Sequence, residues 1–210
     1  MAIVWPCALS VDEYVAAGRE VDVPRPACPR CSTPMGFWSG YHRFVRLAGV
    51  SRPLWIRRGR CEPCQSTHAL LPAFVVAHRL DDAETIGAVL EQVSQGPDGV
   101  RPAAEAAAVP HTTARGWCRR FGARAEGLAV AFSALAVELG AQVRTSTASA
   151  QRRALGALGD AFDAACSFPG WLALSCWRFC NAVAGGSWLA ANTNSPYLVV
   201  GRRRFMAPVP

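Results

Sequence analysis

Cys28-Pro-Arg-Cys31 and Cys61-Glu-Pro-Cys64 are the two stretches on which the reading of this chain turns. A C-x-x-C forms a tight knuckle that presents two thiolates from one turn. Two knuckles with enough chain between them to fold back complete a tetrahedral four-sulfur site. Filled by Zn²⁺, such a site leaves no position open for a substrate water, so the zinc is expected to be structural and its binding to be part of folding. Between the pairs lie Gly36-Phe-Trp, Tyr41-His-Arg-Phe-Val-Arg-Leu47 and Leu54-Trp-Ile-Arg-Arg58, rich in the aromatic and β-branched residues that strands favour. The expected order is knuckle, hairpin with Ser39-Gly40 as a turn, and knuckle, which is that of a zinc ribbon. Its apolar faces are too small to fold without the metal. A redox C-x-x-C usually stands alone at the start of a helix, unlike two pairs flanking a hairpin. His68 follows Cys64 closely and could replace a ligand, but it reads better as a residue beside the ligands or on the surface, as does His42. Cys7, Cys118, Cys166, Cys176 and Cys180 read as packing residues.

Working outward, the 210-residue chain has room for one large or two small domains. Its formal charge is +7, and all 22 basic residues are Arg. Abundant Ala, Arg, Gly and Pro point to a GC-rich coding sequence as one source of that excess. Four thiolates and a Zn²⁺ would lower the charge to about +5, still basic enough to favour a polyanionic partner. Nine cysteines, an odd number in a long chain with no visible signal peptide, argue against a disulfide scaffold. The most apolar stretch, Trp171 to Ala191, is interrupted by Arg178, Asn181 and Gly185-Gly186. It reads as a buried helix and turn, not a membrane span, and a cytoplasmic location is expected.

The expected fold class is α+β, a zinc ribbon followed by a mostly helical region. Ser10-Val-Asp-Glu13 opens a short helix over Val11, Tyr14 and Val15, ended by Pro24-Arg-Pro26. From Asp81 or Asp82 a helix carries Ile86, Val89, Leu90 and Val93 on one face. A short Ala-rich helix spans Arg101 to Ala107, and a third runs from His111 to about Glu126 with Ala114, Trp117, Cys118 and Phe121 inward. Further helices are expected near 128–140, 151–166 and 171–183, with a polar linker at Gly140 to Ser149 and a basic tail, Arg202-Arg-Arg204. The expected organisation is 1–76 N-terminal segment and ribbon, 80–126 trihelical unit, and 127–210 helical region with tail.

The trihelical stretch has the marks of a helix-turn-helix: small Ala107, apolar Val109 in the turn, and an inward stripe opposite a polar outer face. On that face His111, Thr112, Thr113 and Arg115 are placed to reach base edges. Arg119, Arg120 and Arg124 lie further along, where they would hold phosphates. Pro110 stands where a Ser or Thr cap is usual, but proline is tolerated at the first helical turn. Arg43, Arg46, Arg57, Arg58 and Arg60, interleaved with Tyr41, Phe44 and Trp55, form either a nucleic-acid face or a solvated strand face. The tail arginines are a phosphate-gripping arm or a solvated terminus.

Cys-Pro-x-Cys, an aromatic hairpin, Arg-Cys-x-x-Cys with Thr67-His-Ala-Leu-Leu-Pro72, and then Val109-Pro-His-Thr-Thr-x-Arg-x-Trp117 occur in that order. This order resembles uncharacterised bacterial transposon-associated proteins that join a zinc ribbon to a helix-turn-helix, and the DNA-recognition front end of insertion-sequence transposases. The resemblance covers roughly residues 1–126. It implies a role in transposition or transcription, with double-stranded DNA as partner and with a transposase or a second copy of the chain as a possible further one. A transposase of the usual type needs a carboxylate triad on an RNase-H-like domain. Beyond the third helix this chain offers only Glu126, Glu138, Asp160 and Asp163, in a segment too short for that domain. No catalytic residues and no small-molecule substrate are expected. The alternatives are a protein-interaction module with an incidental basic face, or a truncated transposase.

Overall fold

The computed structural model describes residues 2–97, 99–142 and 147–189. It is an α+β protein in which a small sheet and a helical layer each have their own core. The strands are β1 (Ala2–Trp5), β2 (Gly36–Leu47), β3 (Val50–Arg60) and β4 (Thr67–Pro72), in the order β1-β4-β3-β2. β1 lies parallel to β4 in the register Ala2↔Ala69 to Trp5↔Pro72, and the other pairs are antiparallel. The first strand has no counterpart in the sequence reading. Four residues before a proline carry too little alternation to declare a strand, and only pairing with β4 makes one.

The hairpin turn differs from expectation. β2 runs unbroken through Ser39-Gly40, with a bulge between Phe37 and Ser39. The reversal is at Ala48-Gly49, both at positive φ (46° and 80°), a two-residue turn whose twist matches the strands it joins. Gly40 is needed for room instead: a Cβ there would lie 2.4 Å from the Trp55 ring.

Helix α1 (Val11–Ala17) begins as its sequence says. The Ser10 side chain accepts from the Glu13 amide while Glu13 accepts from the Ser10 amide, a complete capping box. Tyr14 anchors α1 to the sheet through its hydroxyl, 3.0 Å from the Trp55 carbonyl, and an edge-on contact with Phe74.

The helical layer comprises α2 (Ala83–Gln95), α3 (Val100–Ala106), α4 (His111–Glu138), α5 (Ala150–Ala165) and α6 (Cys176–Val183). Asp82 caps α2 by accepting from the Thr85 amide. The helices expected at 111–126 and 128–140 are one 28-residue helix. Gly127 does not break it, because Ala125, Leu128, Ala129 and Phe132 keep the buried stripe in phase. The 126/127 position therefore falls inside α4, and residues on both sides of it enter the same core. The 171–183 helix is also modified: Trp171–Ala173 form a 3₁₀ turn, and Ser175 caps a shorter α6. Part of the expected 140–149 linker (residues 143–146) and the Arg202–Arg204 tail lie outside the described residues.

α6 ties the two cores together. Fully buried Asn181 donates to the Ala73 and Val75 carbonyls at 2.7 and 2.9 Å and accepts from Trp188 Nε1. Arg178 pairs with Glu84 at 2.6 Å and donates to the Leu9 carbonyl at 2.8 Å. At the other end of the sheet, Arg46 pairs with Asp81, and Arg43 donates to the Val76 and Arg79 carbonyls. No described helix is long and apolar enough to cross a membrane.

Candidate metal centre and basic cleft

The two cysteine loops are near-copies in backbone as well as in sequence. In the first, the Cys28 amide donates to the Thr33 carbonyl at 2.8 Å; in the second, the Cys61 amide donates to the Ser66 carbonyl at 2.9 Å. Each loop places the residue after its second cysteine at positive φ, Ser32 at 61° and Gln65 at 52°. That turn brings both thiols of a pair to the same side. The loops differ where their prolines differ. The Arg30 amide points at Cys28 Sγ (3.5 Å), whereas its counterpart Pro63 has no N–H to give.

β2 and β3 bring the loops face to face. The sulfurs of Cys28, Cys31, Cys61 and Cys64 all lie within 4.8 Å of one another, and Cys31 and Cys61 are 3.4 Å apart. A tetrahedron with metal–sulfur bonds of about 2.3 Å has sulfur–sulfur edges of about 3.8 Å, so the four thiols fit one metal ion such as zinc. No other such group of three or more His, Cys, Asp or Glu donors occurs among the described residues. The thiols perturb one another. The Thr33 hydroxyl, its amide and the neighbouring thiols bring Cys31 down to about 6, and Cys31 in turn helps push Cys64 up to about 12. A divalent cation would resolve that competition by taking all four as thiolates.

His68 is not one of the donors. It is buried, with Nε2 3.2 Å from Ser66 Oγ, itself 4.0 Å from Cys28 Sγ. The imidazole thus stands behind the quartet. Of the other cysteines, Cys7 and Cys180 are buried, Cys118, Cys166 and Cys176 are half-buried, and all are free thiols.

The half-buried hairpin arginines all have internal partners. Arg57 donates to the Arg19 carbonyl and lies over Phe37. Arg58 donates to Thr67 Oγ1, and Arg60 bonds Gln65 and stacks on Trp38. Arg43 and Arg46 serve the junction described above.

At the start of α4 the outer face is as read: His111, Thr112, Arg115 and Arg119 are exposed, while Thr113 and Arg120 are half-buried. Ala114, Trp117 and Phe121 are buried opposite them. Pro110 provides no side-chain cap. α3 and α4 are joined by a four-residue connection, Ala107 to Pro110, in which Ala108 takes φ 52°. The hairpin tip reaches this connection: a Cβ on Gly49 would lie 3.3 Å from that of Ala108. Thr112, Thr113, Arg119 and Arg120 line a cleft of about 550 Å³ together with His78 and Arg79. His111 and Arg115 stand outside it. His78 and Arg79 carry no signal in the sequence because they sit between the two motifs; only the docking of sheet on helices brings them beside α4.

Residues 28–117 match the model of a family described as "Domain of unknown function (DUF6431)". The match begins at Cys28 and ends at Trp117, joining the cysteine quartet and the start of α4 in one unit under half the chain's length. No curated protein and no solved structure matches the chain.

Proposed function

We propose that this protein is a zinc-containing, sequence-specific binder of double-stranded DNA. In this reading the quartet of Cys28, Cys31, Cys61 and Cys64 holds a structural Zn²⁺ in a zinc ribbon, and α2, α3 and α4 form a helix-turn-helix. The observation that carries it is the division of α4's first turns: a buried Ala114/Trp117/Phe121 stripe opposite exposed His111, Thr112, Arg115 and Arg119. An exposed helix start bearing Arg and Thr suits the major groove, where Arg takes guanine bidentately and Thr meets a thymine methyl or a phosphate. The resemblance to transposon-associated ribbon and helix-turn-helix proteins favours a site-binding role in transposition or transcription. The absence of catalysis is inferred from the sequence from residue 126 onward, whose few acids include Glu126, ion-paired with Arg153.

Selection of bound sequences from random DNA, with and without a zinc chelator, tests the reading. An enriched motif whose affinity falls steeply with salt and is lost in an Arg115→Ala/Arg119→Ala double variant is expected. Retention of full affinity by that variant would remove α4 as the reading helix. A second reading, contact with another protein or a second copy, is favoured by Val130 and Val137, aliphatic side chains 66% and 59% exposed on the outer face of α4. Sedimentation of a Val130→Glu/Val137→Glu variant against the wild type tests it, a dimer that dissociates being the supporting result.

A further inference from the structure

The basic cleft is assembled from both halves of the molecule and is poorly neutralised. Arg46, Arg79, Arg119 and Arg120 line it with Asp81 as the one carboxylate, and Asp81 is already bonded twice by Arg46, at 2.6 and 2.9 Å. The other three guanidiniums have no ion pair among the described residues.

Arg79 is held in place from behind, donating to the His78 and Leu189 carbonyls at 3.0 and 2.9 Å, while its buried Nε has no hydrogen-bond partner. Arg120 folds back over Gly116, where a Cβ would lie 2.9 Å from its Nη1. Glycine is an unfavourable choice inside a helix, and here it leaves the space the guanidinium occupies. Burial and the charge of Arg120 both disfavour the cationic form of Arg79, so the fold holds two cations near each other without an acid between them.

An anion relieves that repulsion. Guanidinium forks suit carboxylate and phosphate alike, but forks arriving from two elements, with the Thr112 and Thr113 hydroxyls beside the start of a long helix, suit a tetrahedral group with charge on several oxygens. We propose that this cleft grips a backbone phosphate of the bound DNA between Arg79 and Arg120. It rests on the DNA reading above and adds that the segment leaving the sheet and the start of α4 close on one strand together.

The test uses the full-length, metal-loaded protein. Inorganic phosphate is titrated against chloride at constant ionic strength and Tm is followed; DNA affinity is then measured against salt. Wild type should gain Tm with phosphate, and Arg120→Gln should lose that gain. The same variant should bind all DNA sequences more weakly by a common factor, with a salt slope shallower by about 1, the contribution of one phosphate contact. Gly116→Ala controls for folding. Alanine is the better helix former, so its Tm without phosphate should not fall, yet its methyl displaces Arg120 and the response to phosphate should shrink. An unchanged salt slope in Arg120→Gln would overturn the phosphate grip and leave the DNA reading standing. Phosphate stabilisation abolished by Arg120→Gln in a protein that binds no DNA would overturn the backbone assignment together with the DNA reading, leaving a free-phosphate site.

Discussion

The sheet region and the helical region differ most in what fills their interiors. β2 buries only Val45 along its 12 residues, and Phe37, Trp38 and Phe44 remain open to solvent under or beside arginines. α4, by contrast, buries nine residues in a single stripe and shares its core with every other long helix. The inner strands bury Leu54, Ile56, Leu70 and Leu71 in a core of their own, but the outer strand adds little to it, and the cysteine quartet sits where that strand begins. The helical layer instead has one continuous apolar core, with Trp117, Phe121, Phe132, Phe179 and Trp188 among its buried side chains. A cysteine quartet beside a small sheet and a continuous helical core thus meet in one chain, clipped together by Asn181, Arg178 and the Arg46–Asp81 pair.

Denying the quartet a metal ion should break the comparison most sharply. Chelation or Cys61→Ser is expected to unfold the sheet region, since structural zinc contributes about 10–16 kcal/mol in small metal-built folds, comparable to a whole domain's stability. Far-UV circular dichroism should keep most of its helical signal while the aromatic near-UV signal of the hairpin is lost. A metal-free protein with unchanged Tm would show that the quartet is dispensable.

Asn181→Ala attacks the clip. It leaves two buried carbonyls and an indole N–H without their partner, at a cost of about 4 kcal/mol. Calorimetry should then resolve two transitions where the wild type has one; a single transition at lower temperature would mean that the other contacts suffice to couple the regions.

Each region also has a glycine that makes way for a tryptophan. A Cβ at Gly87 would lie 2.2 Å from the Trp177 ring between α2 and α6, and one at Gly40 lies 2.4 Å from Trp55. Both alanine variants should lose about 2 kcal/mol. Gly87→Ala should lower the Tm of the helical region, whereas Gly40→Ala should weaken metal retention in a chelator competition. Equal metal retention in the two would argue that strand pairing and metal affinity are independent.

The remaining effect concerns pH. Burial is the main cause that lifts the Asp82 carboxyl from 3.8 to about 7, helped by nearby Glu84. The folded state therefore holds this proton more tightly than the unfolded chain, so its contribution is present in full below about pH 4 and is lost as pH rises through about 7. Asp82→Asn keeps an acceptor for the Thr85 amide and stays neutral. Denaturant midpoints should decline less between pH 5 and 8 for the variant than for wild type; parallel curves would place Asp82 outside the titration.

The features readable along the chain were those whose cause is local. The Ser10–Glu13 box, the Asp82 cap and the Ala114/Trp117/Phe121 stripe depend on spacings of three or four residues, and each stands where the spacing puts it. The cysteine loops are local in the same sense, since each knuckle closes its own hydrogen bond. What escaped was set at a distance. Ser39-Gly40 has turn composition but continues a strand, because Gly40 is selected by the Trp55 ring lying across it. Gly127 has breaker composition but continues a helix, because a core on both sides holds the stripe in phase.

The sequence by itself determined the two cysteine loops and the helix face that carries His111, Thr112, Arg115 and Arg119, because thiol spacing and helical period are properties of short segments. Only the tertiary structure decided that β1 joins β4, that the hairpin arginines serve internal bonds, and that Arg79 faces Arg120 across a cleft. Those outcomes depend on how two cores dock through Asn181 and Asp81, and the free energy of docking is spread over contacts that no short segment contains.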